Sequence, residues 1–155
     1  MTAFSASEAL ELAIEIETNG EAYYNALVKQ DLGPEMSALF KDLAAQERNH
    51  HRVFQNMLEA TPAAPSFASS LNAEYREYLQ LALDNALFAG KDKALLLAKE
   101  AHDQQTALQA ALGFEKDTLL FFYDLREMVG EKDRATLSGI IREEKSHVRR
   151  LASML

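Results

Sequence analysis

Two five-residue segments decide the fold, Gln46-Glu47-Arg48-Asn49-His50 and Glu143-Glu144-Lys145-Ser146-His147. Each contains Glu-x-x-His, and residues three apart share one face of an α-helix. A further glutamate precedes each segment: Glu17 lies 30 residues before Glu47, and Glu115 lies 29 residues before Glu144. A glutamate followed one hairpin later by Glu-x-x-His thus occurs twice, which indicates a duplicated pair of helices.

The repeat extends beyond these segments. Residues 9–17 align with residues 107–115, and at the same offset Tyr23-Tyr24 aligns with Phe121-Phe122. A duplicated half with pseudo-two-fold symmetry explains this pattern.

Helix signals surround the repeat and strand signals are missing. Ser5 and Glu8 have the spacing of a capping box, and Gly33-Pro34 ends the first helix and starts the second. The pattern predicts helices over about 5–33, 34–59, 71–89, 103–129 and 132–154, with a short helix or turn over 92–101. Two hairpins joined by a long crossover that contains its own helix predict an all-α, ferritin-like four-helix bundle.

The length of 155 residues fits a single domain over 1–155. We place hairpin 1 at about 5–60, the crossover at about 61–102 and hairpin 2 at about 103–155. Neither a signal peptide nor a long apolar run is visible, so we expect a cytoplasmic protein without a membrane partner.

Composition narrows the chemistry. The net charge of −8 argues against nucleic acid as a partner. The absence of cysteine excludes disulfides, thiolate catalysis and Cys-ligated zinc or iron–sulfur sites within these residues. Carboxylate and imidazole are left as the strong metal ligands.

Each repeated glutamate interrupts an apolar helical stripe, as Glu47 does between Phe40, Leu43 and Phe54. Burying an unpaired carboxylate costs several kcal/mol. Four glutamates carry −4, which two divalent cations neutralise while two histidines remain neutral ligands. The predicted ligands of a two-metal site are Glu17, Glu47, His50, Glu115, Glu144 and His147.

With these residues in place, the chain resembles the rubrerythrin-like branch of the ferritin-like di-iron carboxylate proteins. Residues 13–24, 47–50, 114–123 and 143–147 carry the resemblance. It implies two iron ions, bridged by Glu47 and Glu144, with Glu17 and Glu115 as terminal ligands and one histidine on each ion. Manganese or zinc also suits such ligands.

The sequence differs from that of rubrerythrins proper in one residue near the site and in the cysteine-ligated domain. Rubrerythrins proper carry an extra metal-binding glutamate one turn after the third-helix ligand, where this chain has Thr118. They also carry a cysteine-ligated, rubredoxin-like iron domain, and these 155 residues contain no cysteine. We therefore expect electrons to come from an external donor protein.

Three functions stay open from sequence. The first is a redox enzyme that reduces hydrogen peroxide or dioxygen, the second a ferroxidase or iron storage and delivery protein, and the third a non-catalytic, metal-stabilised bundle. A homodimer is expected.

Four residues near the predicted ligands are candidates for hydrogen bonds to them. Tyr24 and Tyr123 could donate hydrogen bonds to ligand carboxylates or pack in the core. Glu21 and Glu143 could also approach the site, but positions on the solvated helix faces are expected for both.

Overall fold

The protein is a bundle of helices in the computed structural model, which describes residues 5–61, 74, 77, 78, 81 and 90–155. Its helices are α1 (Ala6–Lys29), α2 (Pro34–Ala60), α3 (Lys91–Glu100), α4 (Gln104–Met128) and α5 (Glu131–Ser153). No strand occurs among the described residues, so the predicted all-α class is confirmed.

The helices begin where the sequence predicts. The backbone N–H of Glu8 donates to the Ser5 hydroxyl at 3.2 Å, and the backbone N–H of Ser5 donates to the Glu8 carboxylate at 2.8 Å, which completes the capping box. Asp103 caps α4 by accepting from the backbone N–H of Thr106 at 2.7 Å. Gly33 has φ +107°, a left-handed conformation that glycine adopts without strain, and Pro34 then opens α2.

Packing follows the two hairpins. Helix α1 packs along α2 and helix α4 along α5, while α1 also contacts α3 and α4, and α2 contacts α5. Aromatic rings join the hairpins across the core: the Phe54 and Phe122 centroids lie 5.1 Å apart. The Tyr23 hydroxyl on α1 donates to the carbonyl of Ala107 on α4 at 3.3 Å. The four long helices therefore enclose one common interior.

The crossover is described only in part. The predicted short element at 92–101 is helix α3, which lies against α1. Of the helix predicted over 71–89, residues 74, 77, 78 and 81 are helical, and the rest lies outside the described residues.

Candidate metal centre

Six polar side chains meet inside the bundle, each no more than 1% exposed. They come from all four long helices, and each interrupts the apolar stripe of its own helix. They are Glu17 on α1, Glu47 and His50 on α2, Glu115 on α4, and Glu144 and His147 on α5. The structure therefore brings together every residue that the sequence analysis nominates as a metal ligand.

The six side chains form two overlapping groups of four. In one group, ligand atoms of Glu17, Glu47, His50 and Glu144 all lie within 4.8 Å of one another. In the other, the same holds for Glu47, Glu115, Glu144 and His147. Glu47 and Glu144 belong to both groups, so the cluster has the layout of two adjoining cation positions with two shared carboxylates.

Both histidines point their Nδ1 atom into the cluster. His50 Nδ1 lies 2.7 Å from Glu144 Oε1 and 3.7 Å from Glu17 Oε1. His147 Nδ1 lies 2.9 Å from Glu144 Oε2 and 3.5 Å from oxygens of Glu47 and Glu115. The two imidazole rings stack with their centroids 5.9 Å apart. Glu144 thus lies between the histidines, with one oxygen facing each.

The outward nitrogen of each histidine is also bound. His50 Nε2 donates to Glu143 Oε2 at 2.5 Å, and His147 Nε2 donates to Gln46 Oε1 at 2.6 Å. These bonds fix the ring orientation and leave Nδ1 as the nitrogen that faces a cation.

The two candidate outer tyrosines differ. The Tyr24 hydroxyl donates a short hydrogen bond to Glu115 Oε1, and the Tyr24 ring stacks on Phe40 with centroids 5.9 Å apart. Tyr123 is instead partly buried at the edge of the core, and Arg126 and Lys145 lie 5.1 and 5.3 Å from its ring centroid. The reason is helical geometry, because eight residues beyond Glu115 is about 80° around the helix.

Most of the polar atoms in the cluster have no hydrogen-bond partner in the described part of the chain. Ten buried side-chain atoms have no hydrogen-bond partner among the described residues, and nine of them belong to the six clustered side chains. Buried polar groups are nearly always paired, so a concentration of unpaired ones needs an explanation. Cations provide it, because carboxylate oxygens and imidazole Nδ1 atoms are metal ligands, and the donor set fits two divalent ions.

Burial, and then the charges of neighbouring glutamates, raise the pKa values of Glu17, Glu47 and Glu115 well above the usual range of a glutamate. Burial also opposes ionisation of Glu144, but the close approach of the His147 and His50 rings holds its pKa well below the usual range. Burial disfavours protonated His50, yet the adjacent Glu144 carboxylate outweighs burial and raises the pKa of His50 to about 9. The pKa of His147 is raised in the same way, by the adjacent carboxylates of Glu115 and Glu144, which outweigh burial. The metal-free cluster therefore retains protons that a cation would displace.

Comparison with known proteins gives the family. The rubrerythrin family model matches residues 8–155, nearly the whole chain. The chain belongs to the rubrerythrin family. A comparison with curated proteins returned no significant match.

A solved structure has the same fold as this rubrerythrin-family chain. It comes from Thermotoga maritima and is provisionally named a ferritin-like diiron-carboxylate protein. The match has a TM-score of 0.70 and 24% identity, and it covers 99% of this chain and 96% of the other. The ferritin-like fold predicted from sequence is thereby confirmed.

One departure from the rubrerythrin pattern lies inside the core. Thr118, where the resemblance leads us to expect an additional glutamate, is fully buried one turn after Glu115. Its hydroxyl has no hydrogen-bond partner among the described residues, whereas the Thr18 hydroxyl donates to the carbonyl of Ile14 at 2.8 Å. This rubrerythrin-family member thus has a neutral donor at the position.

Three features of the centre were missed or misjudged from sequence. Glu143 was expected on the solvated face; it is 54% exposed, yet it binds His50. Helical spacing does not identify Gln46 as a histidine partner, although it stands directly before Glu47 as Glu143 stands before Glu144. Spacing does not identify Gly20 either: a Cβ there would lie 2.9 Å from Phe114 and 3.1 Å from Glu47 Oε2. A glycine inside a helix was the available signal.

Glu21, the other candidate outer carboxylate, accepts from Arg48 Nε at 2.7 Å and is not part of the cluster. Among the helices of the described residues, none has the length and apolar character needed to cross a membrane.

Proposed function

We propose that this chain is a di-iron carboxylate oxidoreductase that reduces hydrogen peroxide or dioxygen with electrons from an external donor. The observation that carries the proposal is the pair of buried four-ligand groups that share Glu47 and Glu144. Membership of the rubrerythrin family supports it.

The proposed ligand roles follow from the two groups. Glu47 and Glu144 would be ligands of both ions, because these two residues belong to both groups. Glu17 and His50 complete one position, and Glu115 and His147 complete the other. Four carboxylates balance two divalent charges, which removes the cost of burying them together.

Iron is the proposed metal because the family is a di-iron family and because carboxylate and imidazole ligands suit it. When bound, two ferrous ions would supply the two electrons that, with two protons from the solvent, convert one hydrogen peroxide to two water molecules. Neighbouring side chains orient the ligand residues and determine which groups carry a proton. The Tyr24 hydroxyl stays protonated, since burial and the charge of Glu115 raise its pKa, and it orients Glu115.

Thr118 is the proposed donor toward the oxidant. Its hydroxyl is buried one turn from Glu115 and lacks a hydrogen-bond partner among the described residues. A neutral hydroxyl at this place can donate to an oxygen species without adding charge to the centre. We propose a separate protein as the electron donor, since these 155 residues contain no cysteine for a thiolate-ligated redox centre.

The decisive test is anaerobic loading with Fe(II), followed by stopped-flow mixing with peroxide and, separately, with dioxygen. We expect two ferrous ions per chain and the consumption of one peroxide for every two ions oxidised. A loaded protein that reacts with neither oxidant would contradict the proposal. Iron uptake far beyond two ions per chain would favour storage instead.

The Glu47→Ala variant serves as the paired control for this experiment. It removes a bridging ligand from both positions, so we expect it to bind much less iron and to lose turnover. Full iron stoichiometry with unchanged turnover in this variant would rule out the proposed ligand assignment.

A further inference from the structure

The two halves of the cluster differ in the group that binds the outer nitrogen of each histidine. His50 Nε2 donates to the carboxylate of Glu143, and His147 Nε2 donates to the amide oxygen of Gln46. Both partners stand directly before the glutamate of a Glu-x-x-His segment, so they occupy equivalent places in the repeat. A carboxylate partner makes an imidazole a stronger metal ligand than a neutral amide does, because outer partners set ligand basicity.

The residues around Gln46 leave His147 without a negatively charged partner comparable to Glu143. The Gln46 side-chain amide donates to Asp42 Oδ2 at 2.8 Å, which turns the Gln46 oxygen toward His147. Arg150 Nη1 donates to the same Asp42 oxygen at 2.6 Å and neutralises it. The hydrogen-bond partner of His147 is therefore a neutral amide, which is held in turn by the Asp42–Arg150 ion pair. The partner of His50 is a carboxylate.

A second break in the repeat concerns the terminal glutamates. Glu115 accepts a hydrogen bond from Tyr24, but among the described residues no side chain outside the six-residue cluster donates to Glu17. The residue that matches Tyr24 in the repeat is Phe122, which is also fully buried and has no hydroxyl to donate. A hydrogen bond stabilises a free carboxylate. A bound cation therefore stabilises the Glu115 carboxylate by less free energy than it stabilises the Glu17 carboxylate.

The different histidine partners and the hydrogen bond to Glu115 both favour cation binding at the position of Glu17 and His50. We propose that the two metal positions have unequal affinities, and that the first ion binds the position of Glu17 and His50 while the second binds that of Glu115 and His147. The inference rests on the proposed function in one respect, namely that the cluster holds two ions. It adds an order of filling and assigns Glu143 as the positioning residue that sets this order.

Anaerobic titration of the full-length metal-free protein with Co(II) tests the order, because the visible spectrum of cobalt reports its ligands. We expect two binding phases. A crystal grown with one equivalent of Co(II) should show its anomalous peak beside His50 Nδ1. Two equal affinities, or a first ion beside His147 Nδ1, would overturn the inference and leave the two-metal site intact. Absence of cobalt binding would overturn the proposed site as well, so the two failures are distinguishable.

The Glu143→Gln variant tests the assigned cause. It replaces the anion with an amide, as in the other half, and we expect it to weaken the first phase about 10- to 100-fold while the second phase changes less. Glu127→Gln is the matched control, since Glu127 is 70% exposed and lies about 18 Å along α4 from Glu115. The control should leave both phases unchanged. If Glu143→Gln weakens both phases equally or weakens neither, Glu143 does not set the order and the inference fails.

Discussion

The hydroxyl of Tyr24 on α1 donates a hydrogen bond to the carboxylate of Glu115 on α4, inside the core and across the two hairpins. A buried hydrogen bond to a charged group contributes about 1.5–3 kcal/mol. We therefore expect Tyr24→Phe to lower the free energy of unfolding of the metal-free protein. Because the same bond stabilises Glu115 without metal, its loss should raise the metal affinity of the position that includes Glu115. Urea unfolding with and without metal measures the first effect, and a metal titration measures the second.

Tyr23→Phe is the matched control for this experiment. The Tyr23 hydroxyl is also buried, but it donates to the carbonyl of Ala107, which is not a candidate ligand. Its loss should cost about 0.5–1.5 kcal/mol and leave metal affinity unchanged. The same metal affinity in the two variants would show that Tyr24 has no specific role at the centre.

Gly20 allows α1 to approach the cluster. Because a methyl group at Gly20 would lie 2.9 Å from Phe114 and 3.1 Å from Glu47, we expect Gly20→Ala to destabilise the protein by about 1–3 kcal/mol. It should also weaken metal binding by displacing Glu47. Gly113→Ala is the control with the opposite sign: nothing lies within 4 Å of its added Cβ, and alanine favours a helix by roughly 0.5–1 kcal/mol. Thermal unfolding that moves in the same direction for both variants would contradict this account.

Glu47→Gln separates ligation from folding. Its glutamate has a raised pKa because of burial and the charge of Glu17, so a neutral amide of similar shape should leave the metal-free protein at least as stable. Metal at about 100 times its dissociation constant stabilises a protein by about 2.7 kcal/mol, and most of this gain should disappear in the variant. Unfolding with chelator and with metal gives both quantities. The control is Glu21→Gln, which breaks the Arg48 ion pair outside the cluster and should preserve the gain.

The pH dependence of the metal-free protein follows from the direction of the pKa shifts. The raised pKa values of Glu17, Glu47 and Glu115 stabilise the fold below their unfolded value of about 4.3, and this contribution is lost as pH rises. His50, with a pKa of about 9, contributes below its unfolded value of about 6.5 and loses the contribution as pH rises through 9. Glu144 acts in the opposite direction, because its lowered pKa contributes above about 4.3.

The contribution of Glu144 is constant above about pH 4.3, so the raised pKa values alone determine the slope at higher pH. The free energy of unfolding of the metal-free protein should therefore fall between about pH 5 and pH 9. Metal binding displaces these protons, and metal affinity should therefore rise over the same range. Urea unfolding in chelator and metal titrations at several pH values measure the two trends. A metal-free protein that becomes more stable as pH rises would contradict the protonation of the cluster.

The helices and the six clustered residues were predictable because their signals are local and repeated. A capping box at Ser5, the Gly33-Pro34 break and two Glu-x-x-His segments each follow from spacing along one helix. The outer hydrogen bonds were not predictable in the same way. Glu143 and Gln46 bind histidines of the opposite hairpin, and the Tyr24 hydroxyl reaches Glu115 rather than Glu17 on its own helix. Such contacts depend on how the hairpins are placed against each other, which helical periodicity does not specify.

The central claim is that two cations lie among six buried side chains, with Glu47 and Glu144 between them. A crystal structure of the protein loaded anaerobically with Fe(II), with anomalous data at the iron edge, tests it most directly. We predict two peaks about 3.5–4 Å apart, one beside His50 Nδ1 and the other beside His147 Nδ1. A single peak, or iron bound only at the surface while the buried carboxylates remain without metal, would contradict the account.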